Sequence, residues 1–236
     1  MLALLQKRKS RLAVAVEKHV EPQNDSTEQT SPTPGSISVG FADKSWDEIS
    51  HTLKQDLARI KTLAGFEEKT PYKQEMIAKY KPVAEKLMAT HENLGGLDLL
   101  WWWFLWQIDC GLFTAIHDDF RQAIERGLDA PHGWKSDGQT AFCDFVFEYT
   151  LESKKAGIAF EPRFLTSAIE SIQAGELAIN PALKSKMYRL MGELYDAQED
   201  KVNALKFYEM SLVLDPKCGK KGRIKTLKEE LENNEK

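Results

Sequence analysis

The sequence has few cysteines and almost no excess charge of either sign. Its three cysteines, Cys110, Cys143 and Cys218, are widely spaced and include no C-x-x-C pair, which argues against a zinc or redox motif and indicates a reduced, intracellular protein. The 236 residues carry 32 lysines and arginines against 36 acidic residues, a net charge of −4. This balance excludes a histone-like basic protein, because such proteins need a large positive excess to neutralise phosphates.

The sequence also lacks an apolar run suited to export or to a membrane span. Three leucines near the N-terminus precede the basic residues instead of following them, the reverse of a secretory signal. The most apolar window, residues 97–116, contains four tryptophans but is interrupted by Asp98 and Asp109. We therefore expect a buried core helix in this window and no membrane partner.

Composition divides the chain into three parts. Residues 1–20 alternate basic and apolar positions without proline or glycine, which predicts a short basic N-terminal helix, or arm. Residues 21–42 are rich in Pro, Ser, Thr, Gln and Asn, which predicts a disordered, flexible linker. Residues 43–233 show helical periodicity and no sustained alternation of the kind that a half-buried strand requires. The predicted fold is all-α, a body of stacked helical hairpins.

Local signals predict where the first helices of the body begin and end. Ser45 and Glu48 form a capping-box pattern at the start of an amphipathic helix, and Gly65 is positioned to end it. Thr70 followed by Pro71 predicts the N-cap and first turn of the next helix. Pro82 is expected to kink or split that helix, because proline lacks the N–H group that an interior helical residue donates.

A tetratricopeptide-like pattern occurs near the C-terminus, and it predicts a helical hairpin over residues 185–218. The pattern asks for an aromatic residue, then Gly, Tyr, Ala, a second aromatic and Pro in one register. The chain meets it with Tyr188, Gly192, Tyr195, Ala204, Tyr208 and Pro216. Repeats of this type present a concave face to a partner protein, and about three are needed for an independent superhelix.

Two groups of polar residues suggest catalysis, but neither forms a complete motif. His117, Asp118 and Asp119 are the residue types of a metal or general-base site, although adjacent helical residues point in different directions and a solvated helix face is preferred. Glu152-x-Lys154 matches only the end of a nuclease pattern that needs strand ends, in a segment with helical periodicity. We expect no catalytic residue, no metal site and no cofactor.

Basic residues are concentrated at the two ends of the chain. Residues 1–20 hold five lysines and arginines against one glutamate, and residues 217–228 hold six and no acidic residue, whereas residues 21–216 hold 20 against 31 acidic residues. For the first cluster three interpretations remain open: contact with DNA phosphates, a soluble leader, or a basic arm that meets an acidic surface of its own oligomer. For the second cluster, a solvated helix face is preferred over a DNA contact. The first cluster comprises Lys7, Arg8, Lys9, Arg11 and Lys18, and the second Lys217, Lys220, Lys221, Arg223, Lys225 and Lys228.

The order of these features resembles that of a known family. A basic N-terminal helix, a linker and an amphipathic helix are followed by Trp106-x-Ile108-Asp109-x-Gly111, with Ala115, Ala123, Gly127, Leu128 and Pro131 further on. This arrangement resembles the phage small terminase subunit family, specifically the Peduovirus type that is also labelled terminase endonuclease subunit. The resemblance covers roughly residues 45–230.

The resemblance implies a component of the DNA-packaging machinery of a tailed phage or prophage, acting in the cytoplasm of the bacterial host. Such a subunit binds double-stranded viral DNA near the cos site, forms a homo-oligomeric ring and recruits the large ATPase subunit, which packages DNA into the prohead. The family carries an endonuclease label, but because no nuclease motif is present we expect this chain to direct cleavage without performing it. The alternative is a tetratricopeptide-like interaction adaptor that does not bind DNA.

Overall fold

The computed structural model describes residues 40–41 and 43–234, and every regular element within them is an α-helix. The all-α prediction is therefore confirmed for these residues, whereas the predicted basic N-terminal helix and most of the linker lie outside them. None of the described helices is both long and apolar enough to cross a membrane. From Trp46 onward the helices are α1 Trp46–Thr62, α2 Gly65–Thr90, α3 Asp98–Asp109, α4 Phe113–Glu125, α5 Gly138–Ala156, α6 Pro162–Ala174, α7 Pro181–Ala197, α8 Lys201–Leu214 and α9 Lys221–Asn234.

The chain divides into two units, the first ending at Trp134 and the second beginning at Lys135. Helices α1 to α4 belong to the first unit and helices α5 to α9 to the second. Each unit has its own buried apolar side chains.

In the first unit a buried carboxylate joins α1 to α2. Asp56 on α1 accepts hydrogen bonds from the Tyr72 hydroxyl at 2.8 Å, the Tyr80 hydroxyl at 2.6 Å and the Lys79 ammonium at 2.7 Å. Burial and the bond to Asp56 raise the pKa of Tyr72 to about 12, because ionising this hydroxyl would place a second negative charge beside the buried carboxylate. Three donors from one helix thus satisfy a single carboxylate on the other.

The predicted start of the second helix at Thr70 is wrong, and Pro82 does not split that helix. Helix α2 begins at Gly65 and continues through both Pro71 and Pro82 to Thr90. Glu68 accepts a hydrogen bond from the Ala64 N–H at 2.7 Å, which satisfies one of the free donors at the earlier start. Apolar burial outweighs the cost of the interior prolines, since the helix buries a stripe comprising Tyr72, Met76, Tyr80, Val83, Ala84 and Leu87.

The tryptophan-rich window forms α3, and it is buried as predicted. Trp101, Phe104 and Trp106 are each no more than 2% exposed. Phe104 stacks on Phe120 of α4 with ring centroids 4.8 Å apart, and Trp101 contacts the same ring edge-on at 5.8 Å. Helices α3 and α4 therefore pack as a short hairpin around aromatic rings.

In the second unit, α7 and α8 form a close hairpin at the tetratricopeptide-like segment. A Cβ atom placed on Gly192 of α7 would lie 2.7 Å from Cδ1 of Tyr208 on α8, so only glycine permits this approach. Toward the other end of the hairpin, the buried Ser185 and Ser211 each donate a hydroxyl hydrogen bond to the other's carbonyl at 3.0 Å. Helix α8 ends at Leu214, two residues before Pro216, and its C-cap is Asp215.

Helix α9 packs on this hairpin through a small apolar cluster. Ile224 and Leu227 of α9 are buried together with Ala204 and Tyr208 of α8. Polar contacts add to this attachment, and they involve the predicted C-terminal basic residues.

Candidate nucleic-acid interface

The N-terminal basic residues that the sequence nominates for DNA contact are not among those that the structure describes. Lys7, Arg8, Lys9, Arg11 and Lys18 all lie in residues 1–39. Their role in binding DNA stays a prediction. The described chain begins at Gly40 and Phe41, and Phe41 is 5% exposed and packs edge-on against Tyr80 with ring centroids 5.2 Å apart.

Arg223 of the C-terminal cluster is held by two acidic residues. Its Nε and Nη2 donate to the two carboxylate oxygens of Asp196 on α7 at 2.9 Å and 2.6 Å, and its Nη1 donates to Glu230 at 3.1 Å. The bidentate bond from Arg223 lowers the pKa of Asp196, and the same contacts raise the pKa of Arg223. A guanidinium bound in this way has few donors left for a phosphate.

Lys220 is engaged in a similar way at a second carboxylate. Its Nζ lies 2.9 Å from Glu193 of α7, which also accepts a 2.7 Å bond from Lys154 of α5. Burial raises the pKa of Glu193, but the hydrogen bonds from Lys154 and Lys220 outweigh it and leave that pKa below its usual value. Glu193 thus links α5, α7 and the start of α9.

The remaining members of the cluster are more exposed. Lys228 lies 2.7 Å from Glu209 of α8, and Lys225 lies 3.8 Å from Glu229 on the outer face of α9. Lys217 and Lys221 are exposed, and neither forms an ion pair with another described residue.

The structure therefore divides the C-terminal cluster into three groups of cations. Arg223 and Lys220 pair with carboxylates of α7, whereas Lys217 and Lys221 are exposed and form no ion pair with a described residue. Exposed ion pairs such as those of Lys225 and Lys228 are worth little and exchange readily with solvent or ligand.

The catalytic candidates lie on α4 and α5, and His117 Nδ1 is 2.7 Å from Asp118 Oδ1. Asp118 is 66% exposed and Asp119 is exposed, as expected for a solvated face, but His117 is 1% exposed and its ring packs edge-on against Phe113. Glu152 and Lys154 lie on α5, where Glu152 pairs with Lys155 at 3.1 Å. In the described residues no three His, Cys, Asp or Glu side chains gather as a set that could hold a metal ion.

Sequence reasoning missed the acidic partners that organise the second unit. Glu193 and Asp196 are three residues apart on α7 and therefore lie on one helix face, which is a detectable spacing. What could not be read from the sequence was that this face meets the basic cluster of α9. Asp56 was missed because its donors Tyr72 and Tyr80 become neighbours only when α1 and α2 pack together.

Comparison with known proteins gives one family match. The model of the family described as phage small terminase subunit matches residues 50–178, more than half of the chain. No curated protein and no solved structure matches significantly. The matched region extends from α1 through all four helices of the first unit and into the second unit, as far as the segment that follows α6.

Proposed function

Because the chain belongs to the phage small terminase subunit family, a family with a role in DNA packaging, we propose that it binds viral DNA and recruits the large ATPase subunit. The DNA is double-stranded and is bound near the cos site, in the cytoplasm of the bacterial host. The outcome is cos cleavage and transfer of DNA into the prohead. The family match over residues 50–178 is the observation that carries this proposal.

The charge distribution supports a particular way of holding DNA. The segment of residues 21–216 is acidic, with 20 lysines and arginines against 31 acidic residues, and would repel a phosphate backbone if it acted alone. Residues 1–20 carry a net positive charge, and their lysine and arginine side chains are hydrogen-bond donors of the kind that bind phosphates. DNA is therefore held by Lys7, Arg8, Lys9 and Arg11, assisted by Lys18. The exposed Lys217 and Lys221 form a weaker second contact.

The helical body provides the protein contacts of the packaging assembly. It joins copies of the chain in a homo-oligomeric ring and binds the large subunit. Size-exclusion chromatography with light scattering tests the ring, since a monodisperse oligomer is expected and a monomer at micromolar concentration would contradict it.

Binding to viral DNA is the direct test of the proposal. Fluorescence anisotropy with a labelled duplex from the cos region is expected to give tighter binding than a scrambled duplex of equal length and composition. Equal affinity for the two duplexes would contradict recognition near cos, and no binding at low salt would contradict DNA binding altogether.

We further propose that the chain directs cleavage and that the large subunit performs it. Glu152 and Lys154 lie on a helix and are engaged in ion pairs, and Asp118 is exposed to solvent. Incubation of the purified chain with cos DNA and magnesium, without the large subunit, is expected to leave the DNA intact. Specific cuts under these conditions would show that the chain itself is a nuclease.

A second candidate function is that of a tetratricopeptide-like adaptor without DNA binding. The close packing of Gly192 against Tyr208 favours it, because that contact is typical of such repeats. A single motif-matching hairpin is fewer than the three repeats that an independent superhelix needs. The anisotropy measurement separates the two functions, since the adaptor is expected to ignore both duplexes.

A further inference from the structure

The first unit contains a mostly apolar cavity between three helices. It has a volume of about 190 Å³ and is lined by Leu57 and Ile60 of α1 and by Trp102, Leu105 and Trp106 of α3. Lys73 of α2 and Asp109 of α3 also line it, and they form an ion pair with each other. Apolar cavities of about 150 Å³ in other proteins stay dry and accept a benzene-sized group. This cavity therefore has room for one branched aliphatic side chain.

The described chain begins close to this cavity. Phe41 packs against Tyr80 with ring centroids 5.2 Å apart, and Tyr80 packs against Trp106 at 5.7 Å. Trp106 is a wall of the cavity. Phe41 is thus connected to a wall of the cavity through one intervening ring, that of Tyr80.

The sequence just before Gly40 contains two large apolar side chains. Residues 21–36 include no Val, Ile, Leu, Met or aromatic residue, and then Ile37 and Val39 occur two positions apart. Three residues span at most about 10 Å, so Ile37 lies no farther than about that from Gly40.

We propose that Ile37 docks into the cavity between α1, α2 and α3 of its own chain. The docked segment fastens the end of the linker to the first unit and fixes the point from which the basic arm extends. An isoleucine is favoured as the occupant because its burial removes apolar surface from water on both sides of the contact. This inference does not depend on DNA binding.

Photo-crosslinking in the full-length chain tests the position of Ile37. A diazirine amino acid of isoleucine size is placed at position 37, and mass spectrometry locates the crosslinks in an equal mixture of ¹⁴N and ¹⁵N copies. Crosslinks within one chain to residues 57–61 or 102–106 are expected. The same probe at Thr33, which the proposal leaves outside the cavity, is expected to give at least fivefold fewer crosslinks to these residues.

Two results would overturn the proposal. Crosslinks mainly between light and heavy copies would mean that the cavity is filled by a second copy. Equal yields from positions 33 and 37 would mean that Ile37 has no preferred site.

A double-mutant cycle provides a second measurement that does not depend on the probe. Ile37→Ala is expected to lower the urea midpoint of the full-length chain, and to lower it much less when Ile60→Ala has already altered the cavity wall. Thr33→Ala serves as the control and is expected to leave the midpoint unchanged in both backgrounds. Equal shifts from Ile37→Ala in the two backgrounds would contradict docking at this wall.

Discussion

At the scale of single residues, two positions fix how helices approach each other. Gly192 lets α7 contact the ring of Tyr208 on α8, and Asp56 gathers Tyr72, Lys79 and Tyr80 from α2. Both contacts are buried, so a substitution at either position is expected to disturb the packing of two helices.

Gly192→Ala is expected to destabilise the second unit by about 1–3 kcal/mol, the usual cost of overpacking a filled core. The added Cβ would lie within 2.8 Å of two carbons of the Tyr208 ring, and that ring is 1% exposed and cannot move into solvent. Urea unfolding followed by circular dichroism measures the effect.

Gly222→Ala is the matched control for this prediction. Gly222 lies near the start of α9, and a Cβ atom there would meet no atom within 4 Å. Alanine is therefore expected to leave stability unchanged or to raise it by up to about 1 kcal/mol through helix propensity. A similar loss at both positions would contradict the close approach of α7 and α8.

Asp56→Ala is expected to destabilise the first unit by about 2–4 kcal/mol, because it leaves the buried Tyr80 hydroxyl and the Lys79 ammonium without their acceptor. Tyr80→Phe is expected to cost only about 1 kcal/mol, since Asp56 keeps Tyr72 and Lys79 as donors. Thermal unfolding of the two variants checks this order, and the reverse order would contradict the role of Asp56 as the shared acceptor.

At the scale of helices, sequence patterns predicted the start of α1 and the buried tryptophan-rich helix α3, but they placed the end of α1 at Gly65, which is the first residue of α2. The capping box at Ser45 and Glu48 is present, with the Ser45 N–H donating to Glu48 at 3.0 Å and the Glu48 N–H donating to Ser45 at 3.3 Å. The predicted start of α2 at Thr70 and its predicted break at Pro82 were wrong because proline signals are local. The buried stripe that stabilises this helix depends on packing against α1 and α3.

The candidate site was less predictable than the fold. The six C-terminal cations are visible in the sequence, but their separation into paired and available side chains depends on where α7 lies beside α9. The position of α7 beside α9 is determined by side chains that are far apart in sequence, so no local pattern predicts it. The proposed DNA contact of the N-terminal basic residues is supported by the sequence alone.

The attachment of α9 is expected to weaken in acid. Arg223 lowers the pKa of Asp196, so this pair stabilises the folded chain above the unfolded-state pKa of Asp, about 4, and the stabilisation is lost as pH falls through the lowered pKa. Arg223→Gln is expected to lower the free energy of unfolding by about 1 kcal/mol at pH 7, a modest value because water partly screens this pair. The variant is also expected to lose less stability than the unmodified chain when the pH is lowered.

Lys225→Gln is the control for the Arg223 prediction. Lys225 is 80% exposed and its pair with Glu229 spans 3.8 Å within α9, so its removal is expected to change stability by less than about 0.5 kcal/mol. Urea unfolding at pH 7 and at pH 3 compares the two variants. An Arg223→Gln variant as sensitive to acid as the unmodified chain would show that Asp196 and Arg223 do not hold α9.

At the scale of the whole molecule, the net charge of −4 conceals an uneven distribution. Acidic residues dominate residues 21–216, and basic residues dominate residues 1–20 and 217–228. In the described part of the C-terminal cluster, ion pairs with α7 and α8 engage Lys220, Arg223 and Lys228. We therefore propose that residues 1–20 supply most of the phosphate-binding charge.

The most direct test of this account is the salt dependence of affinity for double-stranded DNA, measured by fluorescence anisotropy on the full-length chain. Each neutralised phosphate contributes about 0.9 to the slope of log affinity against log salt. Replacing Lys7, Arg8, Lys9 and Arg11 together by Ala is expected to lower affinity and to reduce that slope by up to about 4. Lys217→Ala with Lys221→Ala is expected to reduce it by no more than about 2. An unchanged slope in the four-residue variant would contradict the claim that the arm holds the DNA.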